Sequence, residues 1–236
     1  MYRLIVSDYD NTLVTENKSL SQQFYQKLNM LAMRGCVFCI ASGRPYNQLK
    51  KLMFQASQNM VFISDDGAQM MYKNCVLYKK TVELNDAKAL CKMALSENFT
   101  AICALREENR KVTAEILNLP FFFSSDIFKI IIVKDGKDAQ KLKTFAETLK
   151  LRVCFEDDEY IEFCHKDASK GEAVKKLMQK FLVNESQMIV FGDNINDISM
   201  LSLTKNRFFP KNAKQEVLDL QGEIVDDVEK YIIEMK

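Results

Sequence analysis

Asp8 and Asp10 stand two residues apart, directly after the apolar run Leu4-Ile5-Val6. Alternate side chains of an extended backbone point the same way, so both carboxylates can enter one small volume. Two such groups repel each other unless a cation or a proton lies between them. A polar turn capping a helix would use the same residue types, so the pair takes its meaning from its company. Three further apolar runs end in comparable groups: 36–41 in Ser42-Gly43-Arg44, 60–63 in Ser64-Asp65-Asp66-Gly67, and 188–191 in Gly192-Asp193. If these runs are parallel strands of one sheet, their polar ends meet where open α/β sheets bind ligands. Carboxylate oxygens together with water are what Mg²⁺ prefers. Ser42 and the amides that follow Asp8 and Ser42 can receive phosphate oxygens. Lys170 opens a helical segment, where the dipole disfavours a cation, and a neighbouring anion would account for it.

The elements that must position these groups alternate between two periods. Helical spacing of Phe24, Leu28, Leu31 and Ala32 covers 21–33, with Gly35 as the stop. Pro45 suits the first turn of a helix running to about 56, and Lys73-Asn74 reads as the turn of a hairpin between 70–72 and 76–78. Strand and helix in alternation predict an α/β fold, a doubly wound, mainly parallel sheet. The pattern then changes. It gives a helix capped by Asn85 to about 98, a strand over 99–105, a charged stretch over 106–118 with no clear period, a strand over 128–133, a helix over 138–149 and a hairpin of 152–155 with 160–164. The first pattern returns at Ser169-Lys170-Gly171-Glu172, which has the form of a capping box. A helix to about 181, the 188–191 strand, a short helix carrying Met200 and Leu201, a strand over 207–209, a helix capped by Asn212 and a last helix over 225–234 follow. The expected organisation is a core of residues 1–78 and 167–236 interrupted by an inserted α+β cap domain, 79–166.

Composition narrows the function classes. The 236 residues are 47% hydrophobic and 28% charged, ordinary for a globular protein. A net charge of +1 with interspersed signs gives no case for nucleic acid or an anionic membrane as partner. No apolar run approaches the ~18 residues of a membrane span, and the N-terminus enters a strand rather than a signal peptide. The seven cysteines are odd in number and scattered through apolar segments. Cys36 and Cys39 have C-x-x-C spacing but face opposite sides of a strand, so buried free thiols and a reducing, cytoplasmic setting are expected.

The four motifs Asp8-Tyr9-Asp10-Asn11-Thr12-Leu13, Ala41-Ser42-Gly43-Arg44, Lys170-Gly171 and Gly192-Asp193-Asn194-Ile195-Asn196-Asp197 resemble, in order, those of the haloacid-dehalogenase-like phosphatases. The insert between the second and third is similar to the cap of the Cof-type branch. The resemblance implies a Mg²⁺-dependent phosphatase acting on a small phosphorylated metabolite such as a sugar phosphate. Asp8 would be the nucleophile that becomes an aspartyl-phosphate, and Asp10 the acid and base. Asn11, Ser42, Gly43, Arg44, Lys170 and Asn196 would lie around the phosphoryl group. The metal would sit between Asp8, the Asp10 carbonyl and Asp193, with Asn196 and Asp197 orienting metal waters or Lys170 from the edge. His165, the one histidine, leaves little for a phosphohistidine route.

Three positions depart from the family pattern: Asn11 where glycine is usual, Asp66 where asparagine is common, and Pro210-Lys211 in place of a Met-Gly pair. Asparagine tolerates left-handed backbone, so the turn at Asn11 should survive, whereas Asp66 should add negative charge near the mouth of the site. A phosphomutase or phosphotransferase on the same core is the alternative enzyme. A receiver-like phospho-acceptor module is disfavoured by Asp10 and by the insert, and a silent binding protein by the intact set of charged residues.

Overall fold

Uninterrupted apolar runs are buried on both faces in a parallel sheet, and β1 (Leu4–Ser7) is buried at every residue. The structure is a computed structural model that describes residues 2–15, 19–56, 60–105, 109–117, 119 and 126–235. It divides into two units, Met1–Tyr78 with Ser169–Lys236, and Lys79–Ala168.

In the first unit β1 is followed by α1 (Gln22–Met33), β2 (Val37–Ala41), α2 (Tyr46–Leu52), β3 (Met60–Ser64), β4 (Gln69–Tyr72) and β5 (Cys75–Lys79). Ser21 caps α1 by accepting the Phe24 amide, and α2 ends at Leu52, short of the expected 56. The β4–β5 turn has positive φ at both Lys73 and Asn74, the conformation that suits a two-residue hairpin.

The second unit contains α3 (Leu84–Ser96), β6 (Thr100–Leu105), β7 (Asn109–Val112), α4 (Ala114–Leu117), β8 (Ile127–Val133), α5 (Gln140–Glu147), β9 (Leu151–Glu156) and β10 (Tyr160–His165). Its antiparallel sheet has the order β7-β6-β8-β10-β9. Ala87, Leu90 and Ala94 of α3 and Leu142 and Ala146 of α5 share one core with Ile130, Ile132, Ile161 and Phe163. Asn85 does not cap α3. Glu83 holds the N-cap position, because the preceding Val82 amide is already paired with the Ile127 carbonyl and sets the entry two residues earlier. His165 is buried at the end of β10, where its Nδ1 accepts the Asp167 amide at 3.1 Å.

The first unit resumes with α6 (Lys170–Phe181), β11 (Met188–Phe191), α7 (Ile198–Leu201), β12 (Arg207–Pro210), α8 (Gln215–Leu218), β13 (Glu223–Val225) and α9 (Val228–Glu234). Its sheet order is β13-β12-β11-β1-β2-β3-β4-β5. All its pairs from β13 to β3 are parallel, and β4 runs antiparallel to β3. Phe24, Leu49 and Ile232 pack α1, α2 and α9 on one face, while Val174, Leu177, Met200 and Val217 pack α6, α7 and α8 on the other. The doubly wound α/β fold expected from the strand–helix alternation is therefore present. Val225, expected as the start of the last helix, ends the edge strand β13 instead, and the helix begins at Val228. Gly222 makes this possible, since a Cβ there would lie 2.6 Å from the Phe209 ring and 2.7 Å from the Arg207 carbonyl oxygen. Asn212 does not cap α8, whose N-cap is Lys214; its side-chain amide donates to the Asn11 carbonyl at 3.2 Å. Among the described residues no helix is long and apolar enough to cross a membrane.

Candidate active site

The chain leaves β1 for β2 on one side and returns to β11 on the other, so the order of strands reverses at β1. Such a switch point opens a crevice at the carboxyl ends of the strands. Asp8 follows β1 and Asp193 follows β11, and the ladder continues past the strands through a bond from the Asp8 amide to the Phe191 carbonyl at 3.0 Å.

Lys170, the first residue of α6, is 2% exposed. Its Nζ donates to Asp8 Oδ1 and to Asp197 Oδ1, each at 2.6 Å. These two carboxylates offset the unfavourable helix dipole at this position. Ser169 caps α6 by accepting the Glu172 amide at 3.1 Å, while the Glu172 side chain turns to Lys175 rather than completing a capping box. Burial alone would pull the Lys170 pKa down; Asp197, Asp8 and Asp66 outweigh it, and the net shift is upward. The second oxygen of Asp197 accepts the amides of Asp193 and Asn194, both at 3.0 Å. Gly192 permits this approach, because a Cβ there would lie 2.7 Å from the Asp197 Cβ.

Asp193 is held by Thr12, whose hydroxyl donates to its Oδ1 at 2.5 Å. Thr12 had no assigned role in the sequence, although a hydroxyl between Asn11 and the buried Leu13 was the available signal. Desolvation, opposed by the Thr12 bond and reinforced by Asp197, raises the Asp193 pKa to about 6. Asp8 is also shifted upward, first by burial and then by Asp197 and Asp193, with Lys170 working the other way.

These residues fit a bound divalent cation. Asp8, Asp66, Asp193 and Asp197 are all buried around the ammonium of Lys170, and buried charge requires compensation. Carboxylate oxygens of Asp8, Asp193 and Asp197 lie within 4.8 Å of one another. Asp197 has both oxygens engaged, but Asp8 and Asp193 each keep an oxygen outside the bonds described above. An all-oxygen donor set of this kind suits Mg²⁺.

The second half of the site is tied together by bonds among its own residues. Arg44, expected among the phosphate-binding groups, forms a two-pronged ion pair with Asp10. The Asn11 amide, on a left-handed turn with φ 59°, is bonded to the Val14 carbonyl at 2.8 Å rather than available to a phosphate. Ser42 is buried, and its Oγ accepts the Arg44 amide at 3.1 Å. Asn196 donates to Asp66 Oδ1 at 2.8 Å instead of reaching Lys170. Asp66, expected near the mouth, is 1% exposed and packs beneath Gly43, where a Cβ would lie 3.2 Å from its Oδ2. Asp65 and Asp66 both have positive φ, a strained pair whose amides bind the Arg44 and Ser42 carbonyls and so fix the Ser42–Arg44 loop. The Pro210-Lys211 loop closes through a bond from the Ala213 amide to the Pro210 carbonyl, and the Lys214 amide binds the Asp193 carbonyl at 2.9 Å.

A sequence profile of haloacid dehalogenase-like hydrolases matches residues 5–119 and 106–231. A protein of Buchnera aphidicola subsp. Acyrthosiphon pisum is 25% identical over 234 residues, covering 90% of this chain and 86% of its own length. One from Haemophilus influenzae is 26% identical over 235 residues, covering 92% and 90%. Both carry provisional phosphatase names. The crystal structure of TM0651 from Thermotoga maritima superposes with a TM-score of 0.84 at 21% identity, over 99% of this chain and 97% of that one. The subclass IIB sugar phosphatase BT4131 superposes with a TM-score of 0.75 at 17% identity, over 98% and 97%. The chain therefore belongs to the haloacid dehalogenase-like hydrolases and has the fold found in their subclass IIB.

Proposed function

We propose that this chain is a Mg²⁺-dependent phosphatase that hydrolyses a small phosphomonoester, of the sugar-phosphate class, through a phosphorylated Asp8. The observation that carries the reading is the buried Asp8–Lys170–Asp197 cluster beside Asp193, with Asp10 two residues along the chain. The phosphatase names of the relatives and the sugar phosphatase among the structural neighbours support the substrate class.

In the first half-reaction an Asp8 oxygen bonds to phosphorus, the ester P–O bond breaks, and Asp10 gives a proton to the leaving oxygen. In the second, Asp10 takes a proton from water as the water oxygen bonds to phosphorus. The bond to Asp8 breaks, releasing orthophosphate and restoring the carboxylate. Two of the three Lys170 protons go to Asp8 and Asp197, which leaves one for a phosphoryl oxygen. Ser42 Oγ accepts from the Arg44 amide, so its own proton is available to another phosphoryl oxygen. Asp197 orients Lys170, and Asn196 steadies Asp66 beneath the Gly43 backbone. The Asp8 and Asp193 side chains and the Asp10 carbonyl would hold Mg²⁺, which supplies charge neutralisation at the phosphoryl oxygens. The 79–166 insert is proposed to choose among leaving groups as a cap domain. A reducing, cytoplasmic setting belongs to the same proposal, since all seven cysteines are thiols outside any disulfide.

A panel of phosphorylated metabolites assayed in chelator, Mg²⁺ and Ca²⁺ tests this reading. Phosphate release in Mg²⁺ alone is expected, because Ca²⁺ takes more and longer oxygen contacts and would draw the attacking oxygen of Asp8 into its shell. Full activity in chelator would overturn the metal dependence. Transfer of the phosphoryl group to an added sugar in place of release would make the enzyme a phosphotransferase.

A further inference from the structure

The Asp10–Arg44 pair is defined more sharply than its stability value warrants. Arg44 Nε donates to Asp10 Oδ2 and Nη2 to Oδ1, both at 2.7 Å, so the guanidinium and the carboxylate meet in a two-bond fork. The guanidinium is itself held from three sides. Its carbon lies 5.8 Å from the centre of the Tyr9 ring, and Nη1 is 3.5 Å from Gln48 Oε1 on α2. Its backbone is pinned at both ends, the amide donating to Ser42 Oγ and the carbonyl accepting the Asp65 amide, each at 3.1 Å. Yet the side chains are 41% and 43% exposed, and ion pairs that open to water add little to folding stability. Positioning a reacting group, in contrast, depends on such fixed geometry.

We propose that Arg44 is a positioning residue: it fixes the plane of the Asp10 carboxyl for proton transfer and does not bind the phosphoryl group. This rests on the acid and base role proposed above for Asp10. When Asp10 carries the proton destined for the leaving oxygen, its other oxygen keeps a bond to the guanidinium, so the group stays oriented through both half-reactions. The Ser42–Arg44 loop then presents two functions from one rigid piece of backbone. Ser42 offers its hydroxyl proton to the phosphoryl group, and Arg44 sets the acid that meets the leaving oxygen. A lysine at position 44 would keep the charge but lose the planar fork.

The test is the dependence of rate on leaving group, measured with Arg44→Ala, Arg44→Lys and Asp10→Asn on a series from activated aryl phosphates to alkyl phosphates. Both Arg44 variants should lose about 10²-fold in kcat on the alkyl phosphates and only about threefold on the most activated aryl phosphate. KM and inhibition by inorganic phosphate should change by less than about twofold, with the unfolding temperature unmoved. Guanidinium ion added to Arg44→Ala should recover rate selectively on the poor leaving groups, which a merely structural role would not produce. Weakened inhibition by inorganic phosphate with an unchanged leaving-group dependence would overturn the proposal and return Arg44 to phosphate binding. If Asp10→Asn steepens the dependence and the Arg44 variants do not, the inference fails while the role of Asp10 stands. If Asp10→Asn also leaves it unchanged, both fail.

Discussion

Replacing Asp193 by asparagine should stabilise the metal-free protein at neutral pH and remove its response to Mg²⁺. Asp193 is buried beside Asp8 and Asp197, and its pKa is raised from 3.8 to about 6. A group whose pKa is higher in the folded state favours folding below its unfolded value and loses that contribution as pH rises through the folded value. The span from 3.8 to about 6 corresponds to about 3 kcal/mol in all, lost as pH rises from about 3 to about 7. For a chain of this size that is roughly 6–12 °C in unfolding temperature. Asparagine keeps an oxygen to accept the Thr12 hydroxyl and carries no charge, so Asp193→Asn should avoid this loss. Unfolding by heat, followed for both proteins in chelator from pH 4.5 to 7.5, isolates the residue as the difference between the two curves. The difference should be smallest at the acid end and grow in favour of the variant by about 2 kcal/mol as pH rises. Mg²⁺ at a hundred times its dissociation constant should stabilise the wild type by about 2.7 kcal/mol and the variant far less. A variant less stable than wild type at pH 7.5 in chelator, or equally stabilised by Mg²⁺, would refute the reasoning.

Two further substitutions probe the same cluster. Gly192→Ala places a Cβ 2.7 Å from the Asp197 Cβ, which must displace the carboxylate that orients Lys170; kcat should fall about 10²-fold with the circular dichroism unchanged, and normal turnover would show that Asp197 tolerates movement. Lys170→Met leaves Asp8 and Asp197 buried without their shared cation, so urea unfolding in chelator should show a loss of about 3–5 kcal/mol; a variant as stable as wild type would mean that the pair contributes nothing to the fold.

Much of this arrangement is legible in the sequence because strand ends advertise themselves. Leu4-Ile5-Val6 and the 188–191 run are buried strands with an aspartate just beyond each, and period and punctuation alone put Asp8 and Asp193 on one edge of a parallel sheet. Lys170 stands out as a cation where the helix dipole disfavours one. What sequence does not carry is which anion a cation faces. The family resemblance places Arg44 around the phosphoryl group, and only the three-dimensional path of the Asn11 turn brings Asp10 onto its guanidinium. Asp66 reads as surface charge because aspartate is seldom buried, while a left-handed backbone with φ 54° turns it inward under Gly43. Cap residues mislead for a related reason. Asn85 and Asn212 have the right chemistry, but pairing of Val82 with Ile127, and of Asn212 with Asn11, decides where the chain enters each helix. Strand β13 is three residues long, too short for any period to register, and depends on Gly222 slipping past the Phe209 ring.

The central claim, that Asp8 becomes phosphorylated, is tested most directly by trapping the acyl phosphate. Enzyme mixed with excess substrate, quenched in acid within one turnover and treated with borohydride converts an aspartyl-phosphate to homoserine, which peptide mass spectrometry locates. The account predicts conversion at position 8 alone, dependent on substrate and absent from Asp8→Asn. Conversion at position 10 or 193 instead, or phosphate release at full rate by folded Asp8→Asn, would contradict it.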